Sequence, residues 1–404
     1  MKVQERLIRY AQYNTASDPN TKCTPSTPSQ LEFAKVLVEE MLELGIKDAH
    51  VDEFGVVYGT IEGNTDKKCD TVGFIAHMDT SPDFSGENVK PRIIENYDGK
   101  DIELNSEITL RVSDFPDMIR YVGKDIIVTD GNTLLGADDK AGIAEILTLA
   151  EMIKNDPSIP HGTIKIAFTP DEEIGEGADH FNVEKFGADY AFTLDGGEPE
   201  SYCLETFNAA AAVVEVNGVS IHPGSAKGVM INALNVAMEF HQCLPVFMRP
   251  EYTEGLEGFN HLNDFTGSVE YAKMRYIIRN HDSSLFEQQM ELFKSIEKLI
   301  NQKYGKEIVK VTLVPSYRNM KEILVQHPSV IELMQSCIEA VGLKPVSSSV
   351  RGGTDGSRLT FMGLPCPNLG TGGANCHGRY EVACIQEMET MVELIKIMVE
   401  KIAA

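Results

Sequence analysis

His77, Asp138, Glu173, Asp195 and His377 are imidazoles and carboxylates that stand at the ends of apolar runs in a chain of 404 residues. A further acid, Glu172, lies directly beside Glu173. Nitrogen and oxygen donors in this mixture suit borderline-hard divalent ions, and a carboxylate left free beside them suits the activation of water. The chemistry to expect is hydrolysis at a pair of metals. Each residue also has a plainer reading. A histidine after a strand is often structural, Asp138 would serve as a helix N-cap, and Asp139 would favour the helix dipole. Pro170-Asp171-Glu172-Glu173 reads equally as a solvated acidic turn, and Leu194-Asp195-Gly196-Gly197 as a turn alone. Three adjacent carboxylates repel one another unless cations or water offset the charge. His377 follows Thr371-Gly372-Gly373-Ala374-Asn375-Cys376, whose glycines permit close backbone approach. Gly370 and Gly372 do not make a dinucleotide fingerprint, because the third glycine is missing at the required spacing.

Groups so far apart in sequence must be brought together by strands whose ends meet. Residues 72–76 are apolar without alternation, as in a strand buried on both faces, and the run ends at His77. Residues 126–129, 163–168 and 190–194 are further strand-like runs, the last ending at Asp195. Residues 30–44 and 141–153 carry apolar side chains at helical spacing. Strands alternating with helices predict an α/β fold, a mostly parallel sheet with helices on both faces. The texture changes after about residue 207. Strands at 211–216, 267–278 and 309–314 enclose helices at 231–241 and 283–302, the latter entered through a capping box at Ser284 and Glu287. That order predicts an inserted ferredoxin-like α+β domain over 208–316, interrupting a catalytic part made of 1–207 together with 317–404. Helices return at 328–341 and 386–401, and residues 24–28 read as a surface loop.

A net charge of −25, from 61 acids against 36 lysines and arginines, repels nucleic-acid phosphates and anionic membrane surfaces, so neither is an expected partner. Residues 1–10 are too charged for a signal peptide, and no stretch approaches the ~20 apolar residues that span a bilayer. The eight cysteines form no C-x-x-C pair, which reads as reduced thiols and a cytoplasmic protein.

Seven segments together resemble the M20 family of metallopeptidases. They are Phe74-Ile-Ala-His77-Met-Asp79-Thr-Ser-Pro82, Leu134-Leu-Gly-Ala-Asp138-Asp139-Lys-Ala-Gly142 and Phe168-Thr-Pro-Asp-Glu172-Glu173-Ile-Gly175. Asp195-Gly-Gly197, Ile221-His222-Pro-Gly-Ser-Ala-Lys227, Arg351-Gly-Gly-Thr-Asp-Gly356, and Pro367 to Gly373 with His377 complete the set. The resemblance implies two zinc ions per subunit, with Co2+ or Mn2+ as substitutes. His77 and Asp195 would hold one ion, Glu173 and His377 the other, and Asp138 both. It also implies a cis peptide at Asp138-Asp139, Glu172 as general base, Asp79 as the orienter of His77, and His222 as the group that polarises the scissile carbonyl. Arg279 and Arg351 match positions that grip a substrate carboxylate, although Asn280 stands where relatives commonly carry an acid. Within the family, the branch it most resembles removes the N-terminal residue from tripeptides. A dipeptidase, carboxypeptidase or N-acyl amino acid deacylase would share the same metal site. A non-catalytic binding protein would be expected to have lost a ligand or the base. Small peptides are the expected partners, and a homodimer through the inserted domain is implied by resemblance alone.

Overall fold

The apolar run that ends at His77 forms the strand Val72–His77, buried along its whole length. In this computed structural model, which describes residues 1–404, it pairs in parallel with Ile164–Thr169 on one side and Tyr190–Leu194 on the other. Asn368–Leu369 extends the parallel centre beyond Tyr190–Leu194. The margins are antiparallel: His50–Val51 pairs with Val57–Ile61, which pairs with Ile164–Thr169, and Ser201–Glu205 pairs with Asn368–Leu369. With Val346–Ser349 the sheet has eight strands. Helices Val3–Tyr10, Pro28–Glu43, Ala137–Asn155 and Ile385–Ala403 share one core with one face of this sheet, centred on Phe74, Phe168, Leu147 and Met391. Phe181, Phe186 and Leu359 close over Ile75 and Ala167 on the other. Each large apolar side chain removed from water in this way contributes roughly 1.5–3 kcal/mol. The helix Ala137–Asn155 starts hard against the end of Tyr190–Leu194. A Cβ on Gly142 would run into the Leu194 carbonyl and the Asp139 carboxylate, so no larger residue fits there.

A second, four-stranded sheet was not foreseen from the sequence. It joins Gly373–Ala374, Val382–Cys384, Ile126–Val128 and Arg92–Ile94, all antiparallel. Its strands are two or three residues long, too short for alternation to declare them; the run at 126–129, expected in the parallel sheet, forms Ile126–Val128 here instead.

The chain divides into two compact units. One comprises Met1–Leu204, Glu322–Ser348 and Thr354–Ala404; the other comprises Glu205–Lys321 with Ser349–Gly353. In the second unit Asn208–Asn217, Ala233–Cys243, Phe259–Gly267, Tyr271–Asn280, Ser283–Tyr304 and Val309–Tyr317 follow as strand, helix, strand, strand, helix, strand. The four strands form one antiparallel sheet, with Asn208–Asn217 between Tyr271–Asn280 and Val309–Tyr317. Phe240, Tyr276, Phe286 and Phe293 fill its own core. The strand Phe259–Gly267 is mostly exposed, which is why its sequence lacks the alternation of a half-buried strand. Two local expectations change. The helix Ser283–Tyr304 is capped by Asp282, whose carboxylate accepts from the Leu285 amide at 2.8 Å, and not by Ser284. The 24–28 loop is not wholly on the surface, since Ser26 is buried. No helix is long and apolar enough to cross a membrane.

Candidate metal centre

Because the central strands are parallel, Val72–His77, Ile164–Thr169 and Tyr190–Leu194 deliver their C-terminal ends to one edge, the usual place for a ligand in an open α/β sheet. His77, the Asp171–Glu173 turn and Asp195 therefore meet. Asp138 arrives from the start of the helix Ala137–Asn155, where the backbone is not helical at Asp138 or Asp139 and the peptide between them is cis. His377 comes from the loop between Gly373–Ala374 and Val382–Cys384, with a positive φ of 65°.

Asp138 turns one oxygen to each histidine: Oδ1 lies 2.9 Å from His77 Nε2, and Oδ2 lies 3.4 Å from His377 Nε2. Asp195 Oδ1 is 3.6 Å from His77 Nε2, and Glu173 Oε2 is 2.9 Å from His377 Nε2. His77, Glu172 and Asp195 form one group whose donor atoms lie within 4.8 Å of one another, and His77, Asp138 and Glu173 form a second. A cavity of about 220 Å³ opens among Asp138, Asp139, Asp195, Thr371 and Cys376.

The surrounding carboxylates fix this arrangement. Asp79, fully buried, lies 3.3 Å from His77 Nδ1 and accepts from the Glu172 and Glu173 amides at 3.0 and 3.1 Å. It thus holds both the imidazole and the turn that carries the two glutamates. Asp139 accepts from the His77 amide at 3.1 Å. The three consecutive acids are sorted by the backbone: Asp171, at φ 58°, turns away to accept from Ser26 and Gln30, leaving Glu172 and Glu173 at the site. Asp83 lies 3.5 Å from His377 Nδ1. Glu381 accepts from the amides of Leu135, Gly136 and Asp138. Sequence reasoning passed over Asp83, Asp171 and Glu381 as functional groups. For Glu381 the available signal was an acid placed directly before the apolar run 382–385.

The electrostatics show what the cage accepts. Burial pushes Glu172 well above the usual carboxylate range, and Asp195 adds to the rise. Burial also raises Glu173 and Asp195, eased by His377 and His77 respectively. Burial alone would raise Asp138, but hydrogen bonds from His377 and His77 hold it down. Asp138 and Glu173 push His377 up to about 11. Against the opposing effect of burial, Asp138, Asp195 and Asp79 push His77 well up. So many acids in one buried place call for positive charge. Glu173 Oε1 is buried without a hydrogen-bond partner, a cost that a cation would remove. The donor set fits two divalent ions.

His222, Arg279 and Arg351 belong to the second unit. His222 sits on an exposed turn, its Nδ1 accepting from the Gly224 amide at 3.1 Å. Arg279 stacks on Tyr317 at 5.3 Å and donates to the Ile278 carbonyl at 3.0 Å. Arg351 lies against Phe207 and Phe259 and donates to the Gly255 and Glu257 carbonyls and the Thr253 hydroxyl at 2.7–2.9 Å.

The model of the peptidase family M20/M25/M40 matches residues 129–401. The chain belongs to that family. The chain is similar to a protein named Peptidase T from Caldanaerobacter subterraneus subsp. tengcongensis, 52% identical over 99% of this chain and 98% of that one. Among solved structures, the aminopeptidase PepT from Bacillus cereus superposes with a TM-score of 0.79 at 22% identity, over 100% of this chain and 98% of that chain. A tripeptidase from Staphylococcus aureus gives the same score and identity over the same shares. At that identity the structural likeness speaks for the M20 fold, while the full-length sequence match places this peptidase beside the Peptidase T relatives.

Proposed function

We propose that the chain is a metallo-aminopeptidase that releases the N-terminal residue of tripeptides. The observation that carries this reading is the Asp138 carboxylate facing both His77 and His377, with the Glu172 carboxylate grouped beside His77 and Asp195. His77 and Asp195 would hold one ion, Glu173 and His377 the other, with Asp138 between. Zinc suits this imidazole and carboxylate set, and Co2+ or Mn2+ would substitute. Bound there, the ions supply the Lewis acidity that lowers the pKa of water and polarises a carbonyl.

Glu172 takes the proton from the attacking water and returns it to the leaving amine, a task for which a carboxylate grouped beside His77 and Asp195 is placed. Asp79 keeps the His77 ring in place and, through two amides, fixes where Glu172 stands. His222 would polarise the carbonyl, and Arg279 and Arg351 would receive the substrate carboxylate. Within the second unit, the strand-helix-strand-strand-helix-strand stretch would be the ferredoxin-like insertion that carries His222 and Arg279, while Arg351 joins that unit from the returning segment Ser349–Gly353. Cys23, Cys243 and Cys376 are exposed free thiols, which suits a reducing, cytoplasmic setting.

The test is a mixed pool of tripeptides given to the zinc-loaded protein, with N-acetylated copies alongside. The N-terminal residue should be released first, and only from peptides with a free amine. Release of the C-terminal residue first, or cleavage of the blocked copies, would overturn the aminopeptidase reading in favour of a carboxypeptidase or deacylase.

A further inference from the structure

The turn that presents Asp138 cannot satisfy its own backbone. Leu135 and the left-handed Gly136, at φ 74°, precede the helix Ala137–Asn155 and Asp138 lies in its first turn, so their three amides have no helical carbonyl to bond. A buried amide left without a partner destabilises the fold. All three converge on one side chain. Glu381 Oε2 accepts from Leu135 at 2.7 Å and from Gly136 at 2.8 Å, and Oε1 accepts from Asp138 at 3.0 Å. Glu381 is only 1% exposed. It follows His377 by four positions and directly precedes the strand Val382–Cys384, which pairs with Ile126–Val128.

We propose that Glu381 is a positioning residue that locks the Asp138 turn to the His377 loop and thereby sets how the two ligands face one another. The reasoning is geometric. Asp138 must aim one oxygen at each imidazole, which requires a fixed backbone at a place where no helix or strand fixes it. One carboxylate with two acceptor oxygens holds that backbone at three points, and its own main chain continues from the loop bearing the second histidine. Displacement of either segment is therefore felt by the other. Glutamine cannot replace it: its single carbonyl oxygen satisfies one side, and its amide group meets the remaining N–H donors head-on.

This inference deepens the metal-centre reading and rests on it. The experiment compares wild type with Glu381→Gln, measuring zinc affinity by chelator competition, the visible spectrum of the Co2+-loaded protein, and kcat and KM separately. Loss of a partner that orients metal ligands is expected to weaken binding by about 10–100-fold. The Co2+ bands should shift, and kcat should fall while KM changes little. Zinc affinity and Co2+ bands equal to wild type would overturn the proposal, even if the melting temperature dropped. Should the variant not fold, hydrogen exchange in wild type decides. Zinc must slow exchange at 134–139 and 377–384 at the same metal concentration, and protection of one segment without the other would overturn the coupling. A wild type that binds no zinc would defeat the metal-centre reading itself, an outcome distinct from a variant that binds as well as its parent.

Discussion

In the first unit the ends of neighbouring strands bring His77 and Asp195 together, and Asp79, Asp139 and Glu381 hold the turns behind the cluster. In the second unit His222, Arg279 and Arg351 make their hydrogen bonds with their own surroundings: a nearby amide, the strand that carries Arg279, and the loop at 253–257. The contrast separates two ways of holding a polar side chain. In the first unit the clustered acids Glu172 and Asp195 are forced up in pKa and Glu173 Oε1 is buried without a partner, so the cluster favours cations. In the second, His222, Arg279 and Arg351 are cationic or neutral groups that already have hydrogen-bond partners. The candidate metal ligands all belong to the first unit.

Glu172→Gln tests the first half of that contrast and should have the largest effect. The amide cannot act as a base, so kcat should fall by about 10²–10⁴-fold with metal content unchanged. The grouping of Glu172 with His77 and Asp195 makes the metal measurement decisive. Loss of an ion in this variant would make Glu172 a ligand and leave the base unassigned.

His222→Ala tests the second half. If His222 polarises the carbonyl, the rate should drop by about 10²-fold, the size of one lost oxyanion donor, with zinc affinity equal to wild type. A variant that lost zinc would erase the distinction between the units. One with the parental rate would remove His222 from the chemistry.

The smallest effect concerns stability. Burial raises Asp355 from 3.8 to about 7, eased by the Thr169 hydroxyl 2.6 Å away. Folding therefore takes up a proton between these values. The stabilisation is fully present below the lower value and is lost as pH rises through the upper one. Between them it declines by about 1.4 kcal/mol for each tenfold fall in proton concentration. In the metal-free protein, Asp355→Asn should lose less melting temperature than wild type between about pH 4 and 8. Parallel curves would show that Asp355 does not titrate abnormally.

Much of the site was legible as residue types at strand ends: a histidine closing one apolar run and an aspartate closing another need little more than the pattern to be noticed. The supports were not legible. Asp171, Glu172 and Glu173 look alike in sequence, and only the left-handed backbone at Asp171 sorts them. Glu381 reads as a surface acid until the turn at 135–138 is folded against it, because its partners lie 243–246 residues away. The small sheet that carries His377 is built from strands too short for periodicity to reveal.

The order of residues alone determined the longer elements and the groups that end them, since hydrophobic period and turn chemistry act over a few neighbours. The facing of Asp138 towards two imidazoles was decided only by tertiary structure. Hydrogen-bond geometry between distant segments depends on how the sheets register and where buried carboxylates find their amides, and no local pattern encodes that.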